Sequence, residues 1–293
     1  MSDKEIRDIK TYHAIKDVVV QPSDKLSDDE RRIEQKYLYD IEANLDKYIG
    51  LYRARFGKYI SADKARLLFP EYVDHPVHYS TAVSAPAFAL AENVFNAALN
   101  EPVQPDQDIV IILTGGGGSG KTTAAQTRPG TESLLSNSNV IYETLLRTQQ
   151  RGEKLISSVL SAGKRVGIIY VHRPVEAAAV GALIRAKGNG RIYPISKLAS
   201  GHYESQNTVL TLYQKYMMHT FVGFLVIDNS GDLGDGRISS INLLEMRGIK
   251  YSDINEVEQR ARKAVNDEYI RRRGTDQEIP GDIYIAFTVS TVE

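Results

Sequence analysis

The chain has 293 residues, 36 Lys and Arg against 37 Asp and Glu, a formal net charge of −1 and no cysteine. The missing cysteines exclude disulfides and thiolate metal centres, and the balanced charge offers no basic excess for a nucleic-acid partner. No apolar run reaches the length of a bilayer span, and the charged start MSDKEIRDIK lacks the apolar stretch of a secretory signal. A cytoplasmic protein acting on small molecules, with no membrane or nucleic-acid partner, is the expectation.

Taken in chain order, Gln21-Pro22-Ser23 reads as a loop. Between Ser27 and Gly50, Ile33, Tyr37, Ile41, Leu45 and Tyr48 recur every three or four residues, one stripe of an amphipathic helix. Ser27-Asp28-Asp29-Glu30 supplies a capping box at its start. A short strand is expected at Lys58–Ser61, then a helix at Pro86–Asn100 burying Phe88, Ala91, Phe95 and Leu99. Glu101–Gln107, with two prolines, is a connector. Asp108–Thr114 (DIVIILT), Val140–Tyr142, Arg165–Val171 and Phe221–Ile227 are apolar runs typical of strands buried on both faces. Helical patterns at Leu146–Ala162, Val175–Lys187 and Tyr203–His219 separate the last of them, which argues for a parallel sheet covered on both sides. A last helix is expected near Asn255–Arg272, with Val257, Ala261, Ala264 and Tyr269 on one face. Asp282–Val289 reads as an edge strand.

Gly115-Gly116-Gly117-Gly118-Ser119-Gly120-Lys121-Thr122 matches G-x-x-x-x-G-K-[ST] and stands between a strand and the helical Thr122-Thr123-Ala124-Ala125. The glycines let successive backbone N–H groups curl inward on phosphate oxygens, Lys121 reaches the β- and γ-phosphates, and the Thr122 hydroxyl ligates Mg²⁺. By residue frequencies this pattern arises by chance in about one chain in a hundred of this length. Gly115 to Thr123 are therefore the expected nucleotide-binding residues. A guanine-reading N-K-x-D is absent, and Asp228 in FLVID reads as a plain strand-end Asp.

Pro174 is placed for the first turn of a helix, Gly188 for its end, Arg185 in its last turn and Arg191 beyond Gly188-Asn189-Gly190. Two readings fit the arginines: a lid that closes on transferring phosphate, or surface cations at a helix C-terminus. His202 falls at an expected helix start as a capping or packing residue. His75 and His78, without matching carboxylates, make a poor metal site.

Gly163–Gly231 resembles the zeta-toxin family of P-loop kinases, whose bacterial members phosphorylate UDP-N-acetylglucosamine. The similar elements are GKRVGIIYV, the helix ending in LIR at Arg185, the GRIYP that carries Arg191, and VIDNSG. The resemblance implies that Arg185 and Arg191 contact phosphate. It also likens VIYETLLR to the family's E-G-T, with Glu143 and Thr144 as substrate-binding residues, although here no glycine intervenes. The family's Asp-bearing strand and helix have no room between Lys121 and Glu143. Tyr59–Tyr72 (YISADKARLLFPEY) resembles that unit, as if transposed ahead of the P-loop. On this expectation Asp63 is the catalytic base and Arg66 orients the substrate. Asp63 also suits a helix N-cap, and Glu143 is the alternative base.

The resemblance therefore implies an α/β fold, a P-loop kinase-like parallel sheet with helices on both faces. Residues 1–56 are expected as an N-terminal helical extension and residues 57–293 as the kinase-like domain. The expected catalytic residues are Asp63, Lys121, Arg185 and Arg191, with ATP and Mg²⁺ as cofactors and a UDP-N-acetylhexosamine as acceptor. An antitoxin, or the N-terminal helix acting in cis, is the expected inhibitory partner. The rivals are a nucleotide-dependent switch or ATPase, and a non-catalytic nucleotide-binding module.

Overall fold

Two groups of elements arise from the two apolar spacings of the sequence, and a computed structural model describes them over residues 13–103, 107–126, 131–189, 192–231, 237–245 and 249–289. The chain divides into two compact units, Met1–Glu101 and Pro102–Glu293.

In the first unit, β1 (His13–Ile15) and β2 (Val18–Val20) form an antiparallel hairpin. Helix α1 (Asp28–Ala43) starts on the expected capping box: Ser27 accepts from the Glu30 N–H, and the Glu30 carboxylate accepts from the Ser27 N–H at 2.9 Å. The expected single helix to Gly50 is in fact two. Asn44 leaves helical geometry at φ −130° and ψ 35°, and α2 (Leu45–Phe56) follows. The Asn44 side chain bonds back to Asp40, an alternative to continuing the helix that this residue type favours. Then come β3 (Tyr59–Ser61), α3 (Ala62–Arg66), α4 (Pro70–Asp74) and α5 (Ser84–Leu99). Ala91, Phe95 and Leu99 are buried on α5 as expected, but Phe88 is exposed.

The second unit is built on β4 (Ile109–Thr114), α6 (Lys121–Gln126), α7 (Thr131–Ser136), β5 (Val140–Glu143), α8 (Gln149–Ser161), β6 (Arg165–His172), α9 (Val175–Asn189), α10 (Ile195–Tyr216), β7 (Val222–Asp228), β8 (Arg237–Ser239), α11 (Ile254–Arg272) and α12 (Gly281–Thr288). The sheet order is β5-β4-β6-β7-β8, parallel except for β8, with helices on both faces. The five residues Val110–Thr114 are buried, as a central strand requires. At the sheet edge opposite the P-loop, Arg165 grips Asp108 through two bonds of 2.6 and 2.5 Å.

Three expectations are corrected in this unit. Asp282–Val289 forms helix α12, because Pro280 caps it and Ile279, Ile283 and Phe287 recur every four residues to meet one apolar cluster. Helix α10 begins at Ile195, not Tyr203: Ile195, Leu198, Ala199, His202, Ser205 and Val209 make one buried stripe that runs straight through Gly201. On α11, Val265 takes the buried position expected of Ala264. The cluster joins Val175, Ala179 and Leu183 of α9 to Leu198 of α10, Val257, Ala261 and Val265 of α11, and Phe287 of α12. It thereby fixes the two helices, α9 and α10, that touch the glycine loop.

Candidate functional site

The parallel strands deliver their C-terminal ends to one edge, where ligands gather in open α/β sheets. In register, Leu113 of β4 stands beside Glu143 of β5, Thr114 beside Tyr170 of β6, and His172 beside Asp228 of β7. The loop Gly115–Gly120 leaves β4 at this edge and enters α6 at Lys121.

Its neighbours leave the loop little room. At Gly118, φ is +74° and a Cβ would stand 2.8 Å from the Ala178 carbonyl oxygen on α9, so glycine is required twice over. At Gly116 a Cβ would come within 2.2 Å of the His202 ring on α10. The Asn229 Nδ2 donates to the Ser119 carbonyl at 2.9 Å, and the Asn229 N–H donates to His172 O at 2.8 Å, tying the loop to the ends of β6 and β7.

Lys121 Nζ donates to the carbonyl oxygens of Gly115 and Gly116, each at 3.1 Å, so the ammonium lies across the loop. The exposed Thr122 hydroxyl donates to the Glu143 carboxylate at 3.2 Å. Thr122 is thus in contact with Glu143 of β5, while Lys121 lies against the carbonyl oxygens of its own loop. Thr144 follows Glu143 and donates its N–H to Leu113 O at 3.1 Å. Arg185 is exposed on α9, which continues through Gly188 to Asn189, so Gly188 lies in the last turn and not beyond it. Arg191 lies outside the described residues. Asp228 accepts from the Ser230 N–H at 3.1 Å and from its hydroxyl, a strand-end turn as expected.

His202 is displaced from its expected place at a helix start. It lies inside α10, 1% exposed, with Nε2 2.8 Å from Gly117 O. Burial lowers its pKa to about 4, with the nearby Lys121 charge adding to the shift and the Gly117 bond opposing it. The ring is therefore neutral and donates through Nε2–H. Spacing alone could have placed it on the buried stripe, but nothing local announced contact with the loop.

Several buried polar atoms around this edge have no hydrogen-bond partner among the described residues: Ser119 Oγ, His172 Nδ1, Arg173 Nε, Glu176 Oε2 and Asn229 Oδ1. Native interiors rarely leave such atoms unmade. Ser119 Oγ, His172 Nδ1 and Arg173 Nε can donate. Together with a glycine cradle that side chains would fill, they fit a site that takes a polar ligand such as a nucleotide phosphate. Glu176 Oε2 and Asn229 Oδ1 only accept and call for a donor instead. The Thr122 hydroxyl is a hard oxygen donor of the kind that Mg²⁺ prefers. Among the described residues no cluster of three or more His, Asp or Glu forms a metal centre of the protein's own.

In the first unit Asp63 stands, exposed, in the first turn of α3. The N-cap role belongs to Ser61, which accepts from the Lys64 N–H at 3.1 Å. Arg66 lies 4.0 Å from Asp63 and donates to the Ser84 hydroxyl at 3.2 Å.

Fold and loop define a P-loop kinase-like protein. Residues 131–234 match the family model described as Zeta toxin, and the segment read above as zeta-toxin-like falls inside that range. The match begins downstream of the P-loop, so loop and match are separate observations. It supports a nucleotide-dependent, kinase-like toxin. Similar solved structures include the AvrRxo1-ORF1:-ORF2 complex, 12% identical over 63% of this chain and 81% of that one, with a TM-score of 0.42. The AvrRxo1-ORF1:AvrRxo1-ORF2 structure with sulphate ions is 14% identical over 54% and 71%, at 0.38. A structure from the PezAT chromosomal toxin–antitoxin system of Streptococcus pneumoniae is 17% identical over 61% and 94%, at 0.33. No curated protein matches the chain. Among the described residues no helix is long and apolar enough to cross a membrane.

Proposed function

We propose that this protein is an ATP-dependent phosphotransferase of zeta-toxin type, acting with Mg²⁺ on a hydroxyl of a small molecule of the UDP-N-acetylhexosamine class. The observation that carries the reading is the convergence of Lys121, Thr122 and Glu143 on a glycine loop at the C-terminal end of β4. Mg²⁺, when bound, would draw charge from the phosphate oxygens. The loop's N–H groups and Lys121 would hold the phosphates in line, and the Thr122 hydroxyl would turn from Glu143 to the metal. Arg185, and Arg191 on the family resemblance, would stabilise charge on the transferring group. Phosphoryl transfer asks for little more than such positioning and electrostatics.

For the acceptor side, the resemblance supports Asp63 as base, with Arg66 orienting the acceptor. The contact between Thr122 and Glu143 favours a second assignment, in which Glu143 takes the proton and Thr144 helps hold the acceptor. An antitoxin partner belongs to the same reading through the family.

The test is a phosphoryl-transfer assay with ATP·Mg²⁺ and UDP-N-acetylglucosamine. Wild type is compared with Lys121→Ala, Asp63→Asn and Glu143→Gln. Phosphorylated sugar nucleotide in wild type, lost with Lys121→Ala, is the expected result. Loss in Asp63→Asn or in Glu143→Gln then assigns the base. ATP hydrolysis without labelled sugar in wild type would reject the acceptor and favour the ATPase reading.

A further inference from the structure

Arg173 follows the last residue of β6 and is only 9% exposed, although it carries a guanidinium that stays charged at any physiological pH. Its Nε is buried with no hydrogen-bond partner among the described residues. Among the described residues no carboxylate pairs with it. Burial, and after it the charge of Arg185, push its pKa down. The nearby Glu176 is held by Arg260 at 2.6 Å. Other cations of this unit are treated differently: the almost fully buried Lys164 donates to Asn139 Oδ1 at 3.0 Å, and Arg165 pairs with Asp108. A buried charge normally keeps a partner, because water no longer solvates it.

The position of Arg173 says where that partner would come from. It occupies the two-residue connection, Arg173-Pro174, between a strand and a helix that both touch the phosphate loop. The Val171 carbonyl oxygen of β6 lies 2.4 Å from where a Cβ on Gly115 would stand, and Ala178 of α9 closes on Gly118. The α9 N–H at Val175 is already satisfied by the Tyr251 hydroxyl at 3.1 Å, so the connection itself is fixed.

We propose that Arg173 is a phosphate-binding residue of this site, forming with Arg185 a pair of guanidiniums whose counter-charge is a ligand phosphate oxygen. The inference rests on the kinase reading and adds to it a residue absent from the lid pair. Guanidinium forks match phosphate oxygens in geometry and charge, which lysine does not reproduce. The phosphate belongs either to the nucleotide donor or to the diphosphate of the acceptor.

The experiment compares wild type with Arg173→Met, Arg173→Lys and Lys121→Ala in two measurements: Tm without ligand, and Kd for Mg·ADP and for UDP-N-acetylglucosamine. Arg173→Met is expected to hold or raise the ligand-free Tm, since it removes an uncompensated charge while keeping apolar volume. It should also weaken one of the two ligands by about tenfold or more, as loss of a charge-assisted contact does. Arg173→Lys should fall between. Weakened Mg·ADP assigns the contact to the donor, and weakened UDP-N-acetylglucosamine to the acceptor. A lower Tm with both Kd values unchanged, or failure of both Arg173 variants to fold, would make the residue structural and overturn the proposal. Lys121→Ala separates the two ideas. Unchanged Mg·ADP binding in that variant rejects the phosphate-loop reading, whereas its loss beside wild-type binding of both ligands in Arg173→Met rejects the Arg173 inference alone.

Discussion

His202 Nε2 lies 2.8 Å from the carbonyl oxygen of Gly117, and the same ring closes over Gly116 so tightly that no side chain fits beneath it. One imidazole on α10 therefore sets both the orientation of a loop peptide and the height of the backbone beside it. A bond to the Gly117 carbonyl fixes which way that peptide faces, and with it the directions of the neighbouring N–H groups.

Gly116→Ala should destabilise the protein by about 1–3 kcal/mol, the usual cost of overpacking a filled interior, and weaken Mg·ADP binding. His202→Ala opens the space but loses the bond. The double variant should be less destabilised than the sum of the two singles, because the added methyl then has somewhere to go. Urea titration of the four proteins measures the coupling, and strict additivity would reject the contact.

Acid should find the same residue. The unfolded imidazole titrates near its ordinary 6.5, the folded one near 4, so between these values the unfolded chain binds more protons. The stability that depends on a neutral His202 is fully present above pH 6.5 and is lost as pH falls through 4. The loss is on the order of 3 kcal/mol. Chemical denaturation from pH 7 to 4 should show this slope in wild type and a shallower one in His202→Gln.

Glu34 on α1 predicts the opposite slope for the first unit. It is 1% exposed, and burial raises its pKa to about 7, against the weaker pull of the Ser23 N–H bond at 3.1 Å. Here the folded state binds more protons between 4.5 and 7. The contribution is present below pH 4.5 and lost as pH rises through 7, by roughly 2–3 kcal/mol. Glu34→Gln should flatten the loss over that range, read by thermal melts of the full chain. An unchanged profile would mean the carboxyl ionises in place.

Thr122→Val should lower turnover by about a hundredfold and raise the Mg²⁺ concentration needed for half-maximal rate. Since the side chain is exposed, stability should stay within about 0.5 kcal/mol of wild type. A Mg²⁺ titration at saturating ATP makes the measurement, and an unaltered metal requirement would remove Thr122 from the metal site.

What could be read from sequence was what local spacing dictates. The capping box at Ser27, the apolar strand of β4 and the glycine loop each carry their physics within a few residues, and each lies where expected. Gly163–Gly231 was legible through resemblance, since its motifs span a strand, a helix and the next strand in fixed order. What depended on distant packing was not. Asp282–Val289 has both alternating and helical apolar spacing, and the cluster shared with α9 and α11 decided for a helix. The helix expected from Tyr203 in fact runs back through Gly201 to Ile195, because the residues on either side of that glycine share a buried face. The contacts of His202 with the loop, and the isolation of the Arg173 charge, arise between elements far apart in the chain. No short pattern announces them.

Lys121, whose Nζ is 3.1 Å from the carbonyl oxygens of both Gly115 and Gly116, gives the glycine loop a tenant of its own. Without nucleotide those carbonyls are neither bare nor hydrated by default, since the ammonium occupies them. On the proposed function, a phosphate would draw the ammonium off these carbonyls as it bound, and a measured affinity would report the difference between two sets of bonds. Removing the amine deletes both the host's grip and the lodger, so the vacated carbonyls turn to water while the loop's remaining N–H donors stay in place.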